Sequence, residues 1–143
     1  MNISKFTQKS VQAVQDLEKV AYEYGNQEIE QEHLLYTLLT QEDSLILKLI
    51  EKMEINKDYF IDTVKKALDA KVKVSGGELR FGQYLNKALV NAEDEAKAMG
   101  DEYVSVEHLF LSLLKYPSPS MKKIWSEFGI TKERFLQALS TVR

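Results

Sequence analysis

The sequence contains no cysteine, which excludes a disulfide framework, a thiol nucleophile and a cysteine-ligated metal. Its formal net charge is −3, so it lacks the basic excess that a nucleic-acid-binding surface usually needs. No purely apolar run exceeds four residues, and residues 1–10 lack the apolar centre of a signal peptide. We therefore expect a cytoplasmic protein without nucleic-acid or membrane partners.

Catalytic motifs are also missing from the sequence. No phosphate-binding loop of the GxxxxGK[ST] type is present, because Gly76-Gly77 is followed by Glu78-Leu79. There is no GxSxG elbow and no HExxH helix. The two histidines, His33 and His108, are more simply explained by a structural role at a helix start than by metal binding. We expect this chain to be a non-enzymatic module without a cofactor or metal of its own.

What the sequence does contain is a tandem repeat. Residues 6–68 align with residues 81–143 at an offset of 75 positions without a gap, and fifteen of the 63 aligned pairs are identical. The identical pairs include Gly25 with Gly100, and the Glu-His-Leu motif at residues 32–34 with that at residues 107–109. Such a repeat predicts two copies of one supersecondary unit related by a pseudo-twofold axis.

Helical periodicity dominates each copy of the repeat. In the first copy, residues at spacings of three and four form one stripe, with Ser4 predicted as the N-cap and Gly25 as the helix stop: Phe6, Ser10, Ala13, Leu17, Ala21 and Tyr24. The second copy repeats the stripe and ends at Gly100. A second helix is predicted to begin near Glu32 and Glu107. Ser105 is predicted to be a good N-cap for it and Glu30 a poor one.

Two more helices complete each copy. The third is predicted at about residues 44–54 and 119–128, and the fourth begins after Asn56 or Thr131, which are both capping residues. Residues 70–80 contain a Ser-Gly-Gly turn and are interpreted as a linker between repeat one, 6–68, and repeat two, 81–143. The predicted fold is a single all-α domain over residues 1–143, with eight helices in two pseudo-twofold-related four-helix repeats.

The paired strings that begin at Gly25 and at Gly100, each with its Glu-His-Leu motif, resemble the Clp N-terminal repeat. The opening at residues 6–9 and the Gly-Ile-Thr at residues 129–131 also resemble that family, so the resemblance covers essentially the whole chain. Within the family, the string GDEYVSVEHL is most similar to the ClpB disaggregating chaperones. ClpC-type domains usually have Thr before the glutamate, where this chain has Gln31 and Val106.

The resemblance implies a parent protein that is a hexameric AAA+ ATPase, with ATP and magnesium bound only by modules outside this chain. It implies that this domain recruits unfolded or aggregated client proteins to the threading ring during disaggregation, refolding and the heat-stress response. A DnaK-type chaperone is an implied partner through other regions of the parent. This domain itself is expected to bind clients weakly through an apolar groove and to catalyse nothing.

Candidate client-binding residues come from two sources. Four apolar residues lie off the buried helical rows and are candidates for a groove between the halves, or alternatively pack the halves together: Val11, Tyr36, Tyr84 and Leu111. The resemblance adds Thr7, Asp101 and Glu107, which match positions that the ClpB family uses for chaperone activity. These three residues also have structural interpretations as a first-turn residue, a turn former and a helix-start acid.

Two alternative functions remain open from the sequence. ClpC-like domains recognise phosphorylated arginine through the glutamate of each Glu-His motif, which would be Glu32 and Glu107 in this chain. The third possibility is an adaptor-docking module that makes no direct contact with clients.

Overall fold

The computed structural model describes residues 2–143 and confirms the all-α fold. Within this range, eight α-helices follow a one-turn 3₁₀ helix, Ile3–Lys5: α1 (Gln8–Glu23), α2 (Gln31–Leu39), α3 (Leu45–Lys52), α4 (Lys57–Asp69), α5 (Gln83–Ala98), α6 (Val106–Lys115), α7 (Pro119–Phe128) and α8 (Lys132–Ser140). In the described residues, the only regular β-structure is a parallel pair of two-residue strands, β1 (Glu28–Ile29) and β2 (Arg80–Phe81).

The two repeats exchange equivalent contacts, as a pseudo-twofold relation requires. Phe6 forms a parallel bridge with Val104, and Ile29 pairs in parallel with Phe81. Each pair becomes the other when 75 is added to the number of its first-repeat residue and subtracted from the number of its second-repeat residue. Backbone hydrogen bonds reinforce both contacts, since Thr7 N–H donates to the Val104 carbonyl at 2.9 Å and Gly82 N–H donates to the Ile29 carbonyl at 2.8 Å. The segment before the first helix of each half therefore lies beside the first loop of the other half.

A single hydrophobic core joins the halves. The stripe residues that lie within α1 and α5 are buried, as are Ile29 and Val104 in the loops that follow these helices. The predicted stripe residue Phe81, which precedes α5, is instead exposed. Aromatic side chains fill the region around the two fourth helices: Phe110 stacks on Phe135 with ring centroids 4.4 Å apart, and Phe60 meets Phe128 edge to face at 4.9 Å. Neither repeat could bury this surface alone, which explains why the two occur in tandem.

The start of the first helix differs from the sequence-based prediction. Ser4 was predicted to cap the first helix, but it lies in the 3₁₀ turn. The cap is Thr7, whose Oγ1 accepts the Ser10 N–H at 3.3 Å. The helix begins later because the backbone before Thr7 is extended beside Val104 of the other half.

Glu30 was predicted to be a poor cap for α2, yet it occupies the N-cap position. The third helical residue, His33, secures this helix start because its Nδ1 accepts the Glu30 backbone N–H at 2.8 Å. His108 accepts the Ser105 N–H in the same way at 2.9 Å. The Glu-His motif therefore positions a helix-capping histidine in both repeats.

The glycines that end the first helices are required by their backbone conformation, with φ of 68° at Gly25 and 74° at Gly100. At Gly100, an added Cβ would meet no atom within 4 Å, so only the left-handed conformation opposes a side chain. Replacing Gly100→Ala is expected to lower the free energy of unfolding by about 1 kcal/mol, measured by urea denaturation. Gly100→Asn should cost less, because asparagine tolerates this region better. Equal losses in both variants would contradict the backbone explanation.

Candidate functional site

A surface cavity of about 410 Å³ lies where three helix starts converge between the two halves. Thr7 caps α1 and Ser105 caps α6, while the loop before α3 closes the third side. We call it the Thr7–Glu107 cavity, and its lining residues are Thr7, Gln8, Lys9, Gln41, Asp43, Leu45, Ser105, Val106 and Glu107. The cavity thus combines two aliphatic side chains with hydroxyls, amides and both signs of charge.

Glu107 is the buried acid among the residues that line this cavity, whereas Asp43 is exposed. Glu107 is only 7% exposed, although it carries a carboxylate in the first turn of α6. Among residues 2–143, the single ion-pair contact of this carboxylate is with Nε of Arg143, at 3.8 Å. A carboxylate accepts several hydrogen bonds, so Glu107 keeps acceptor capacity for an N–H donor that enters the cavity.

Asp101 does not line the cavity but belongs to the same charge network as Glu107. Its Oδ2 accepts hydrogen bonds from Nε2 of His108, at 2.8 Å, and from the Arg143 guanidinium. The Ser105 N–H donates to Nδ1 of His108, which places the histidine proton on Nε2. The hydrogen bond from Arg143 holds the pKa of Asp101 below its ordinary value, so Asp101 stays ionised. Arg143 therefore connects Asp101 with Glu107.

The equivalent position in the other half is closed by one side chain, that of Gln31. Its Nε2 donates to the carbonyls of Tyr84, at 3.1 Å, and Tyr116, at 2.7 Å, while its Oε1 accepts the Ser118 N–H at 2.9 Å. Under the repeat offset, Gln31 corresponds to Val106. The positions that Gln31 contacts are the counterparts of Lys9, Gln41 and Asp43, three residues that line the open cavity. We call Gln31, Tyr84, Tyr116 and Ser118 the Gln31 cluster.

Glu32, the counterpart of Glu107, is also occupied. It is 1% exposed, and its Oε2 accepts a hydrogen bond from Ser120 Oγ at 2.5 Å. Its Oε1 lies 3.2 Å from Nζ of Lys71, which also pairs with Glu30 at 3.0 Å. The Glu-His motif of the second repeat therefore faces an open cavity. The equivalent space beside the motif of the first repeat is filled by side chains of the protein itself.

The remaining predicted site residues lie elsewhere. Val11 is half-buried on α1, and Tyr36 is half-buried with its ring edge to face with Tyr24, 5.9 Å between centroids. Tyr84 is exposed at the start of α5 and offers its carbonyl to Gln31. Leu111 is buried, at 2% exposure, beneath a different surface groove. The structure places Thr7 and Glu107 in one cavity and links Asp101 to Glu107 through Arg143, but it does not join the four apolar candidates into one groove. All seven residues stay predictions as client contacts.

Several residues of the site were not identified from the sequence. Leu45, Val106 and Lys9 line the cavity, and Arg143 connects Glu107 of the cavity with Asp101 outside it. The mismatch between Gln31 and Val106 in otherwise similar motifs was visible in the sequence, but its consequence for the cavity was not. No group of three histidine, aspartate or glutamate residues within residues 2–143 is placed to hold a metal ion. The helices of that same range are too short or too polar to cross a membrane.

The comparisons with known proteins are consistent with this fold. The Clp repeat (R) N-terminal domain family matches residues 5–128. The chaperone protein ClpB of Nitratidesulfovibrio vulgaris is 38% identical over 149 residues, an alignment that covers 100% of this chain and 17% of that protein. The chain therefore spans about a sixth of the length of this relative.

Solved structures share the fold at lower sequence identity. The Hsp104 N-terminal domain from Candida albicans has a TM-score of 0.80 at 20% identity, covering 94% of this chain and 88% of that one. A ClpV N-domain in complex with a VipB peptide has a TM-score of 0.68 at 19% identity, covering 87% of this chain and 79% of that one.

Proposed function

The chain belongs to the Clp repeat N-terminal domain family, and from that membership we propose that it recruits unfolded or aggregated polypeptides for a ClpB-like AAA+ chaperone. The domain binds client segments and passes them to an ATP-driven threading ring formed by other parts of the parent protein. The observation that carries this proposal is the open Thr7–Glu107 cavity, whose counterpart is filled by Gln31.

The chemistry of the cavity suits a polypeptide segment. Leu45 and Val106 offer apolar contact to a client side chain, and Glu107 offers an acceptor to a backbone N–H or a basic side chain. Thr7 and Asp101 support the same region, Thr7 as the cap of α1 and Asp101 through Arg143. The peptide held by the ClpV N-domain supports peptide binding as a function that this fold can perform.

Binding at such a site should be weak. A disordered client loses chain entropy when it is ordered, and the cavity contacts only a few of its side chains. A dissociation constant in the micromolar range or above, about −8 kcal/mol or weaker, is expected. Weak binding suits the proposed role, because the client must be released to the threading ring.

The structure favours this proposal over a phosphoarginine receptor that uses both Glu-His motifs. Such a receptor requires an accessible carboxylate in each motif, whereas Glu32 is 1% exposed and engaged by Ser120 and Lys71. An adaptor-docking role uses the same exposed cavity with a folded partner, so a binding experiment with unfolded chains separates it from client recruitment.

Replacing Glu107→Gln is expected to weaken binding of an unfolded polypeptide by roughly fivefold, because a neutral amide accepts a weaker hydrogen bond than a carboxylate. The melting temperature should change little, since within residues 2–143 the only ion pair that Glu107 loses is a long one to Arg143. Binding is measured by titration with a reduced and carbamidomethylated test protein that cannot refold.

Glu32→Gln is the matched control, because it makes the same substitution at the equivalent position of the other repeat. This variant should lower stability, since it removes the buried ion pair with Lys71, and should leave client binding unchanged. Client recruitment by the Thr7–Glu107 cavity is refuted if Glu107→Gln binds as tightly as the unsubstituted domain, or if only Glu32→Gln weakens binding.

A further inference from the structure

A second cavity, about 420 Å³ in volume, lies between the end of α6, α7 and the start of α8. Its floor is apolar and well packed, with Leu111, Trp125 and Ile130 exposed by only 2%, 6% and 4%. We call it the Trp125 groove, and its lining residues are Leu111, Leu114, Lys115, Pro117, Lys122, Trp125, Ile130, Thr131 and Lys132. It shares no lining residue with the Thr7–Glu107 cavity.

The rim of the Trp125 groove is positively charged. Lys115, Lys122 and Lys132 are all exposed, and none of the lining residues is acidic. Among residues 2–143, Lys122 and Lys132 form no ion pair, and Lys115 pairs only with Glu95, at 3.7 Å. The amino-terminal end of α8, which begins at Lys132, adds the positive pole of a nine-residue helix. Three cations thus surround an apolar floor without compensating acids in the lining.

This combination belongs to the second repeat alone. Under the repeat offset, Lys115 corresponds to Thr40 and Lys122 to Leu47, so only Lys132 has a charged counterpart, Lys57. The shared fold therefore does not require the cationic rim. The charges are a property of this groove and complement a partner of opposite sign.

We propose that the Trp125 groove binds a peptide segment in which an apolar side chain is flanked by aspartate or glutamate. The apolar side chain lies on the floor at Leu111 and Trp125, while the flanking carboxylates pair with the three lysines. This site goes beyond the proposed function, because it is separate from the Thr7–Glu107 cavity and selects acidic segments, whereas Glu107 selects N–H donors.

The groove contains its own reporter, since Trp125 is the one tryptophan of the sequence. The probe is a short synthetic peptide with a central Leu-Phe pair between two Asp-Glu pairs, and its control has Asn-Gln in place of each Asp-Glu. Titration of the domain with the acidic peptide should change Trp125 fluorescence in a saturable manner. The control peptide should bind about tenfold more weakly, and the difference should shrink with added salt.

The charge requirement is tested with the triple variant Lys115→Gln, Lys122→Gln, Lys132→Gln. It should lose roughly tenfold in affinity for the acidic peptide. The triple variant Lys5→Gln, Lys19→Gln, Lys65→Gln removes the same net charge from exposed lysines outside the groove and should bind normally. Equal losses in the two variants, or equal binding of both peptides, would overturn the proposal.

Two further measurements complete the test. Glu107→Gln should leave the Trp125 fluorescence response to the acidic peptide unchanged. The proposal for the Trp125 groove is therefore tested independently of the proposed client recruitment. Two further probes, single-stranded oligothymidylate and phosphatidylserine vesicles, are titrated while Trp125 fluorescence is recorded. A saturable response to either of these, with none to the acidic peptide, would assign the groove to a membrane surface or nucleic acid and refute the peptide proposal.

Discussion

Replacing Gln31→Val is expected to lower the free energy of unfolding by about 3 kcal/mol, which corresponds to a melting temperature roughly 10 °C lower. The substitution places in the first repeat the residue that the second repeat has at this position, Val106. It removes three hydrogen bonds and leaves the carbonyls of Tyr84 and Tyr116 and the N–H of Ser118 without their partner. Gln31 itself is fully buried, so these groups lose a partner in a region from which solvent is excluded.

The control for this prediction is Gln83→Ala, an exposed glutamine at the start of α5. It should change stability by less than about 0.5 kcal/mol. Chemical denaturation measures both variants under the same conditions. If Gln31→Val lowers the free energy of unfolding no more than the control does, the hydrogen bonds of Gln31 do not stabilise the closed half. That result would contradict the explanation given for the difference between the filled and the open site.

Acid should destabilise the domain through His33. Burial, with a further contribution from the nearby Lys71 ammonium, lowers the pKa of His33 to about 4 from an ordinary value of 6.5. Between these two values the unfolded chain binds a proton that the folded domain does not, so stability falls as the pH falls. The contribution of the neutral His33 to the free energy of unfolding is fully present above pH 6.5. Its loss should reach about 3 kcal/mol below pH 4.

The geometry around His33 explains why a proton is unfavourable there. Nδ1 already accepts the Glu30 N–H at 2.8 Å, so this nitrogen cannot be protonated without breaking the cap of α2. Nε2 lies 2.9 Å from Oδ1 of Asn26 and donates to it, since Nδ1 carries no proton. The neutral imidazole therefore satisfies both partners.

An NMR titration of the imidazole carbon-bound protons measures the pKa of His33 directly, and thermal unfolding at a series of pH values measures its effect on stability. His33→Gln, which has no group that titrates in this range, should show a smaller loss of stability between pH 6.5 and pH 4. A measured pKa near 6.5 for His33 would contradict the prediction.

Much of the fold was predictable because the repeat supplies two independent copies of each pattern. Gly25 and Gly100 lie at equivalent positions, and both have the left-handed conformation expected of a helix stop. Asn56 and Thr131 each cap the last helix of their repeat as predicted. Local chemistry decides these features, so a pattern of residue types along the chain is sufficient.

The errors arose where contacts between the halves decide the outcome. Ser4 has the chemistry of a cap, but the bridge between Phe6 and Val104 moves the helix start to Thr7. Phe81 matches the buried Phe6 in sequence, yet it is 37% exposed while Phe6 is 9% exposed. A sequence pattern does not show which residues of the other half will cover a given side chain.

The open cavity could not have been located from the sequence for the same reason. Thr7 and Glu107 are 100 positions apart, and only the packing of one repeat on the other brings them to one cavity. The substitution of Gln31 for Val106 was visible as a departure from the repeat. That Gln31 reaches two carbonyls and an amide of the second repeat, and thereby fills the equivalent site, depends on distances that only the structure provides.

The central claim is that the Thr7–Glu107 cavity, and not its closed counterpart, receives unfolded chains. An NMR titration of the isotope-labelled domain with the carbamidomethylated test protein examines it most directly, with a parallel titration by phosphoarginine. We predict that the unfolded protein shifts the amide signals of Thr7, Leu45, Val106 and Glu107 and leaves those of Gln31 and Ser118 unchanged. Shifts at Gln31 and Glu32 equal to those at Val106 and Glu107, or a response to phosphoarginine alone, would contradict it.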